Sequence, residues 1–203
     1  MAIRAIVFDI GGVLEITPDL GVNQKWEKIF GLKPGELDQK LHAVWKGGTL
    51  GTMTEAEVHQ NIGEILGIDE AQVNAFMDDV WREYLGTLNV ELADYFRSLH
   101  RRFKTGILSN SFVGAREREQ RLYHFDEMVD VFVYSHEVGL RKPEPGVYQL
   151  TWEKLGVQPN EMIFLDDREE AVELAKKLGI HGILFLDNAQ TIADIEACIK
   201  DNA

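Results

Sequence analysis

Five short apolar runs, each followed by polar residues, constrain the fold of this 203-residue chain more than any other feature. They are rich in β-branched and aromatic residues and have the length of buried strands. The five runs are Ile3–Phe8, Thr105–Leu108, Val131–Tyr134, Met162–Leu165 and Gly182–Phe185. Amphipathic segments of helical period separate the last four runs, as is typical of a parallel sheet covered by helices. We therefore predict an α/β, Rossmann-like three-layer core with a mainly parallel sheet of about five strands.

The interval between the first two runs has a different pattern. Residues 16–88 contain no strand-like run but a succession of helix signals. Capping-box patterns predict helices after Thr54 and after Asp69, because the cap residue and the residue three positions later satisfy each other's free backbone amides. The pair Gly47-Gly48 and the single Gly67 are predicted to break or cap these helices, since glycine is unfavourable in a helix interior.

This interval divides the chain into two predicted domains. Residues 16–88 are expected to form a small all-helical cap domain, inserted after the first strand. Residues 1–15 and 89–203 are expected to form the α/β core, which resumes with a helix near Val90–Arg101. The tryptophans of the interval are expected to pack inside the helical domain, because aromatic side chains bury the most area.

The bulk composition limits the class of protein and its partners. Hydrophobic residues make up 45% of the chain and charged residues 27%, which is ordinary for a soluble globular protein. The net charge of −13 repels a nucleic-acid backbone, so no nucleic-acid partner is expected. The single cysteine, Cys198, excludes an intrachain disulfide, and no apolar run suits a signal peptide or a membrane span. We expect a cytoplasmic monomer or homodimer that does not bind membranes.

Polar residues follow the predicted strands at the positions where a parallel sheet binds its ligands. Asp9 follows the first strand, Ser109-Asn110 the second and Asp166-Asp167 the fourth, while Lys142 lies in a loop after the third. In an open parallel sheet, ligands bind beyond the carboxyl ends of the strands. The sequence thus predicts that two acidic clusters, a hydroxyl and a cation converge at one end of the sheet.

The segment around Asp9 has two interpretations. A carboxylate at the end of a buried strand can act as a nucleophile or as a metal ligand. The following Gly11 and Gly12 permit a tight loop whose backbone amides approach a bound anion. The alternative is an aspartate that only caps a helix or a turn, and this segment alone does not separate the two.

The other three segments are each compatible with phosphate chemistry. Adjacent Asp166 and Asp167 repel each other unless they are neutralised, and Mg²⁺ suits such a pair together with phosphate oxygens, although a helix-capping pair is the alternative. Ser109 and Asn110 suit a phosphate oxygen, although serine is also common at helix N-termini. Lys142 can neutralise a nucleophile and a phosphate together, and a solvated surface lysine is the alternative. Each segment alone is a weak indication of phosphate chemistry, but the four segments together, in this order, are a strong one.

In that order, the segments match the four sequence motifs of the haloacid-dehalogenase-like (HAD) superfamily, and the chain resembles its members with a helical type-1 cap. The matching segments are 7–13, 107–110, 141–143 and 164–167. The resemblance spans nearly the whole predicted core, and the helical interval stands where the type-1 cap of that family belongs. It implies a Mg²⁺-dependent phosphatase that hydrolyses a small phosphate monoester, such as a sugar phosphate.

The resemblance also implies a role for each motif residue. Asp9 would attack the phosphorus and form an aspartyl-phosphate intermediate. The implied phosphate contacts are Ser109, Asn110, Lys142 and the backbone of Gly12. The implied metal ligands are Asp9, the carbonyl of Gly11 and Asp167, with Asp166 as a water-bridged neighbour.

Position 11 departs from the usual pattern of the family. Family phosphatases usually carry an aspartate two residues after the nucleophile, which protonates the leaving oxygen and then activates water, whereas this chain has Gly11. Loss of a general acid–base group costs about 10²–10⁴-fold in rate. Some bacterial sugar-1-phosphate phosphatases of the superfamily are similar to this chain in having glycine there, so catalysis remains compatible with the substitution.

Three interpretations follow from this departure. The first is a phosphatase that uses a substrate with a good leaving group or another proton carrier, for which Glu15, His136 and Glu137 are candidates. The second is a binding or scaffolding module that has lost catalysis. The third is a carbon–halogen hydrolase, against which the Asp166-Asp167 pair argues, because unneutralised carboxylates repel an anionic substrate. We favour the first, since a binding module would not need to retain all the motif residues.

Overall fold

The computed structural model describes residues 2–203 and consists of an α/β core with a helical insertion. The strands are β1 (Ala5–Phe8), β2 (Glu15–Ile16), β3 (Thr87–Leu88), β4 (Lys104–Ser109), β5 (Val131–Tyr134), β6 (Met162–Asp166) and β7 (His181–Leu184). The helices are α1 (Val22–Phe30), α2 (Glu36–Leu50), α3 (Glu55–Leu66), α4 (Glu70–Leu85), α5 (Val90–Leu99), α6 (Ala115–Tyr123), α7 (Ser135–Val138), α8 (Pro145–Leu155), α9 (Glu169–Lys177) and α10 (Asn188–Asp201). Within the described residues, no helix is both long and apolar enough to cross a membrane.

The core sheet has five strands in the order β5-β4-β1-β6-β7. Every neighbouring pair is parallel, so all five carboxyl ends lie at the same end of the sheet. Strand β1 is central and pairs with β4 and β6, which brings the residues after these three strands together. The predicted α/β, Rossmann-like core is confirmed, and each predicted run overlaps a strand whose bounds agree with it within two residues.

Alternate residues of the strands pack on opposite faces of the sheet. In β1, Ile6 and Phe8 belong to a hydrophobic cluster with residues of α5 and α10, whereas Ala5 and Val7 belong to a second cluster with residues of α8 and α9. This alternation follows from the period of two in a β-strand. Because both faces are buried, the strands form the continuous apolar runs from which they were predicted.

Helices α1–α4 supply most of a third hydrophobic cluster. Trp26 and Phe76 meet edge to face there, with ring centroids 5.5 Å apart. The buried Ala115, at the start of α6, joins the cluster, so the insertion packs against the core. The separate cluster supports the predicted cap domain over residues 16–88, whose bounds stay a prediction.

The two predicted capping boxes are present. Thr54 and Asp69 each accept a hydrogen bond from the backbone amide three residues later, and the side chain of that residue accepts one in return. Helices α3 and α4 begin directly after these caps, as predicted. Gly67 ends α3 in the left-handed conformation, with φ of 66°. Local sequence signals therefore determine these helix ends.

The predicted helix break at Gly47-Gly48 is wrong, because both glycines lie inside α2, which ends at Gly51 instead. A β-carbon on Gly48 would lie 2.1 Å from the ring of Phe112, which belongs to the loop after β4. Glycine at this position therefore allows a core aromatic ring to pack directly against the helix. This packing offsets the roughly 1 kcal/mol that a glycine costs in a helix interior.

The expectation of no strand between residues 16 and 88 is also wrong at its two ends. Strands β2 and β3 pair antiparallel where the chain leaves the core and where it returns, with Ile16 opposite Thr87. Strands of two residues are too short to leave an alternating pattern in the sequence. Helix α5 agrees with the helix predicted near residues 90–101 but ends at Leu99.

Candidate active site

Asp9 begins a tight loop directly after β1. Its backbone amide donates to the carbonyl of Leu165 over 2.9 Å, which extends the ladder between β1 and β6 by one residue. Its Oδ1 accepts a hydrogen bond of 2.8 Å from the amide of Ile10. The side chain is buried, with 6% of its surface exposed. The central strand and the loop therefore hold one oxygen of this carboxylate in a defined position.

The two glycines after Asp9 have different surroundings. Gly12 has φ of 76°, and a β-carbon there would lie 2.2 Å from Oδ2 of Asp167, so only glycine allows this close approach. The Gly12 amide donates to the carbonyl of Glu15 over 2.8 Å, and it is thus occupied within the loop. A β-carbon on Gly11 would meet no atom within 4 Å. The loop consequently has room for a side chain at position 11.

Lys142 places its ammonium between two buried carboxylates. Its Nζ lies 2.8 Å from Oδ1 of Asp9 and 2.6 Å from Oδ2 of Asp166. The lysine is 1% exposed and Asp166 is fully buried, so solvent screens these ion pairs very little. Burial raises the pKa of Asp9 to about 6, and nearby Lys142 opposes this rise while Asp166 adds to it. The single ammonium keeps the Asp9 carboxylate available as an anion at neutral pH.

Asp166 and Asp167 are adjacent in sequence but differ in environment. The second oxygen of Asp166 accepts a hydrogen bond of 2.8 Å from the backbone amide of Arg168, so both of its oxygens are bound by the protein. Asp167 is exposed. Burial and the neighbouring Asp166 raise its pKa. Asp9, Asp166 and Asp167 each offer an oxygen, and the three atoms lie within 4.8 Å of one another. This arrangement of hard oxygen donors suits a divalent cation.

The residues after β4 reach the same place. Ser109 is the last residue of β4 and is 3% exposed. The side chain of Asn110 makes two hydrogen bonds with the backbone of Lys142, accepting from its amide over 2.7 Å and donating to its carbonyl over 2.9 Å. The Asn110 amide group therefore positions the lysine loop, a role that the sequence did not indicate. A phosphate contact from this residue would need its backbone.

The structure places the three candidate proton carriers differently. Glu15 is fully buried, and neither of its carboxyl oxygens has a hydrogen-bond partner within residues 2–203. Burial, together with the charges of Glu119 and Asp9, raises the pKa of Glu15 to about 10. His136 is half-buried, and its Nδ1 lies 2.6 Å from the hydroxyl of Ser111. Burial lowers the pKa of His136.

Glu137, the third candidate, is bound at the surface by Arg116, whose Nη1 lies 2.9 Å from its Oε1. A second buried carboxyl group, Glu119, was not singled out from the sequence. It is fully buried on α6 and accepts a hydrogen bond of 2.6 Å from the hydroxyl of Tyr134. Burial raises its pKa to about 7, and the bond from Tyr134 lowers it. It stands among charged residues in the segment 116–121, so no signal in the sequence marked it as buried.

A cavity of about 370 Å³ adjoins the site between the insertion and the loop after β4. Asn110, Ser111 and Phe112 line it from the core side, directly after Ser109. The lining residues from the segment 17–84 are Thr17, Val22, Asn23, Asp38, Trp45, Thr49, Val80, Trp81, Glu83 and Tyr84. Two of the tryptophans expected to be packing residues thus also face a space that a small molecule can occupy.

Comparison with known proteins identifies relatives along most of the chain. Residues 3–179 match the family model described as haloacid dehalogenase-like hydrolase. A phosphatase of Mycobacterium tuberculosis is 31% identical over 202 residues, which cover 94% of this chain and 91% of that protein. Bifunctional epoxide hydrolase 2 of Sus scrofa is 26% identical over 227 residues, which cover 97% of this chain. This chain spans 39% of the length of that relative.

A solved structure shares the whole fold. A HAD family enzyme of Bacteroides thetaiotaomicron, crystallised with magnesium and inorganic phosphate, has a TM-score of 0.79 to this chain at 22% identity. The alignment covers 94% of this chain and 98% of that enzyme, so core and insertion both correspond. From the match over residues 3–179 and the identity to the mycobacterial phosphatase, the chain belongs to the haloacid dehalogenase-like hydrolase family.

Proposed function

We propose that this protein is a Mg²⁺-dependent phosphatase that hydrolyses a small phosphate monoester, with Asp9 as the nucleophile. The buried Lys142 ammonium carries the proposal, since it lies within 2.8 Å of Asp9 and 2.6 Å of Asp166. An ammonium in this position lowers the negative charge that an approaching phosphate meets. The 31% identity to a phosphatase supports the same reaction class.

The proposed reaction has two steps. A carboxylate oxygen of Asp9 attacks the phosphorus, the bond from phosphorus to the ester oxygen breaks, and the alcohol leaves with a proton taken from water. Water then attacks the aspartyl-phosphate, which releases inorganic phosphate and restores the carboxylate. Lys142 compensates charge in both steps, and the Ser109 hydroxyl is the proposed donor to a phosphoryl oxygen.

The donor set at this end of the sheet fits Mg²⁺, because three carboxylates converge there and the buried Lys142 ammonium, which lies between Asp9 and Asp166, offsets only part of their charge. We assign Asp9, Asp167 and the carbonyl of Gly11 as the direct ligands. Asp166 is the water-bridged neighbour, since both of its oxygens are already bound by Lys142 and by the Arg168 amide. Mg²⁺ bound there would stabilise the charge on the transferring phosphoryl group.

Gly11 has a direct consequence for the substrates of such a phosphatase. No side chain at this position can protonate the leaving oxygen, so turnover depends strongly on how well the alcohol leaves without a proton. Esters with acidic alcohols are therefore expected to react faster than esters of ordinary sugars. The same glycine favours a second candidate function, a binding module of the same fold that holds phosphate and metal without turnover.

A panel of phosphate esters tests the proposal. The purified protein is incubated with Mg²⁺ and either p-nitrophenyl phosphate or sugar phosphates, and released phosphate is measured. We expect release that disappears with EDTA and in Asp9→Asn, and that persists in Asp126→Asn, which changes an exposed aspartate outside the site. No release from any ester, with Mg²⁺ still bound in calorimetry, would favour the binding module.

A further inference from the structure

The cavity beside the site is placed to hold the organic part of a phosphate ester. Asn110 and Ser111 line it, and the side chain of Asn110 is hydrogen-bonded to the backbone of Lys142 at the site. A group bound in the cavity can therefore remain attached to a phosphoryl group at the site. The volume of about 370 Å³ is at the small end of the range for ligand pockets, roughly 300–1,000 Å³. The cavity suits a small organic group.

The charged lining of the cavity is acidic. Asp38 and Glu83 line it, and none of its described lining residues is Lys, Arg or His. Glu83 is partly compensated, because its Oε2 accepts from the backbone amides of Leu20 and Val22 at 2.8 and 3.3 Å. Asp38 is exposed and receives a hydrogen bond of 2.9 Å from the neutral side chain of Asn23. This partner is uncharged, and among residues 2–203 no lysine, arginine or histidine forms an ion pair with Asp38.

Four of the other lining residues are aromatic. The ring of Phe112 lies edge to face with Trp45 and Trp81, at centroid distances of 5.8 and 6.0 Å. Tyr84 packs against Trp81 at 5.3 Å. Aromatic faces carry negative charge density, so they attract cations and apolar surfaces and repel anions. The guanidinium of Arg118 already lies over the ring of Trp81, 4.1 Å from its centroid, so we assign the discrimination against an anion to Asp38.

We propose that this cavity selects monophosphate esters whose organic group carries no second negative charge, with Asp38 as the residue that enforces the selection. The inference rests on the proposed function, because it takes the phosphoryl group to lie at Asp9. A carboxylate or second phosphate in the cavity would meet Asp38 and Glu83, and none of the described lining residues is a cation that could pair with it. Like-charge repulsion of this kind weakens binding by about tenfold or more.

A matched pair of esters tests the inference without requiring turnover. Sorbitol 6-phosphate and 6-phosphogluconate differ only at the end far from the phosphate, which is a hydroxymethyl group in one and a carboxylate in the other. Each is titrated into Asp9→Asn protein with Mg²⁺, and binding is followed by tryptophan fluorescence, since Trp45 and Trp81 line the cavity. We expect the carboxylate ester to bind about tenfold or more weakly.

Charge reversal identifies the residue responsible. In the Asp9→Asn background, Asp38→Lys should remove the preference for the uncharged ester. Asp78→Lys, at an exposed aspartate of α4 that does not line the cavity, should keep it. Equal affinities for the two esters, no binding of either, or equal effects of the two lysine variants would overturn the inference. Phosphate release by the unmodified protein from other esters tests the proposed function separately.

Discussion

Asp9 and Asp166 form one group of buried carboxyl groups, and Glu15 and Glu119 form a second group close enough to influence it. The two groups differ in whether a cation pairs with them. Asp9 and Asp166 share the buried Lys142 ammonium, and the pKa of Asp9 is raised by burial to about 6. Glu15 has no hydrogen-bond partner within residues 2–203, and burial raises its pKa to about 10. The difference teaches that burial without a paired cation favours the protonated acid, whereas a buried cation keeps a carboxylate ionised and able to react.

The largest expected effect comes from removing the cation that distinguishes the two groups. Lys142→Met should lower phosphate release by about 10³-fold, because one charged donor to the transferring group is lost. It should also raise the pKa of Asp9 further, since Lys142 opposes the effect of burial. Initial rates measured from pH 5 to 9 would report both changes, as a lower rate and a displaced acidic limb.

Lys176→Met is the matched control for this experiment, because Lys176 is half-exposed and pairs with Glu173 at the surface. Circular dichroism must indicate a folded Lys142→Met protein, since breaking a buried ion pair costs about 3–5 kcal/mol. Full activity in folded Lys142→Met protein would contradict the role assigned to the ammonium and would remove the functional difference between the two groups.

Adding a carboxylate next to Asp9 and Asp166, the group that pairs with Lys142, has the next largest expected effect on phosphate release. Gly11→Asp supplies a general acid–base group at a position where a β-carbon meets no atom within 4 Å. Phosphate release from esters of poorly leaving alcohols should rise by about 10²-fold, while p-nitrophenyl phosphate should gain less. The ratio of kcat values for the two ester types measures the gain.

Gly11→Asn is the control of equal size without an ionisable group, and it should leave that ratio unchanged. A fall in both activity and Mg²⁺ affinity in Gly11→Asp would mean that Lys142 and the metal cannot compensate a fourth carboxylate. That result would mean that excess negative charge, and not the missing proton donor, limits the activity of the site.

The smallest expected effect is on the free energy of unfolding, and it comes from substitutions of Glu15 and Glu119, the group without a paired cation. Because the pKa of Glu15 is about 10 in the folded protein and 4.5 ordinarily, the folded state binds more protons between these values. The free energy of unfolding therefore falls as pH rises from about 4.5 to about 10, by at most about 1.4 kcal/mol per pH unit. Glu15→Gln cannot ionise, so it avoids a loss of about 3 kcal/mol at pH 7. Burying the amide protons without partners costs about 1–3 kcal/mol, which leaves a net gain in stability of about 1–2 kcal/mol.

Urea unfolding at several pH values would measure this gain, which should grow with pH. Glu119→Gln is a useful comparison, because the pKa of Glu119 is about 7. The gain in stability of this variant should therefore stop growing above pH 7. Glu15→Gln protein whose stability follows that of the unmodified protein at every pH would contradict the protonated state assigned to Glu15.

Much of the core and the composition of the candidate site could be predicted from local patterns. The apolar runs mark strands because both faces of the sheet are buried, and the capping boxes at Thr54 and Asp69 mark helix starts because the interacting residues are three positions apart. Asp9 and Asp166 follow such runs, so their convergence at one end of a parallel sheet follows from the fold class. The continuation of α2 through Gly48 depends on Phe112, more than sixty residues away, and local patterns contain no trace of it.

The sequence by itself determined the parallel α/β core, the order of its strand-end residues and the missing acid–base side chain at Gly11, because each depends on neighbours within a few positions. Only the tertiary structure decided which carboxyl groups are ionised, that Asn110 holds the Lys142 loop, and that Asp38 faces a cavity lined by Trp45 and Trp81. The physical reason is that pKa values and cavities depend on distances and desolvation among residues far apart in the chain. Asp9 and Glu15, two carboxyl groups of similar intrinsic acidity, thus become different chemical groups once folding has placed a lysine beside the one and buried the other without a hydrogen-bond partner.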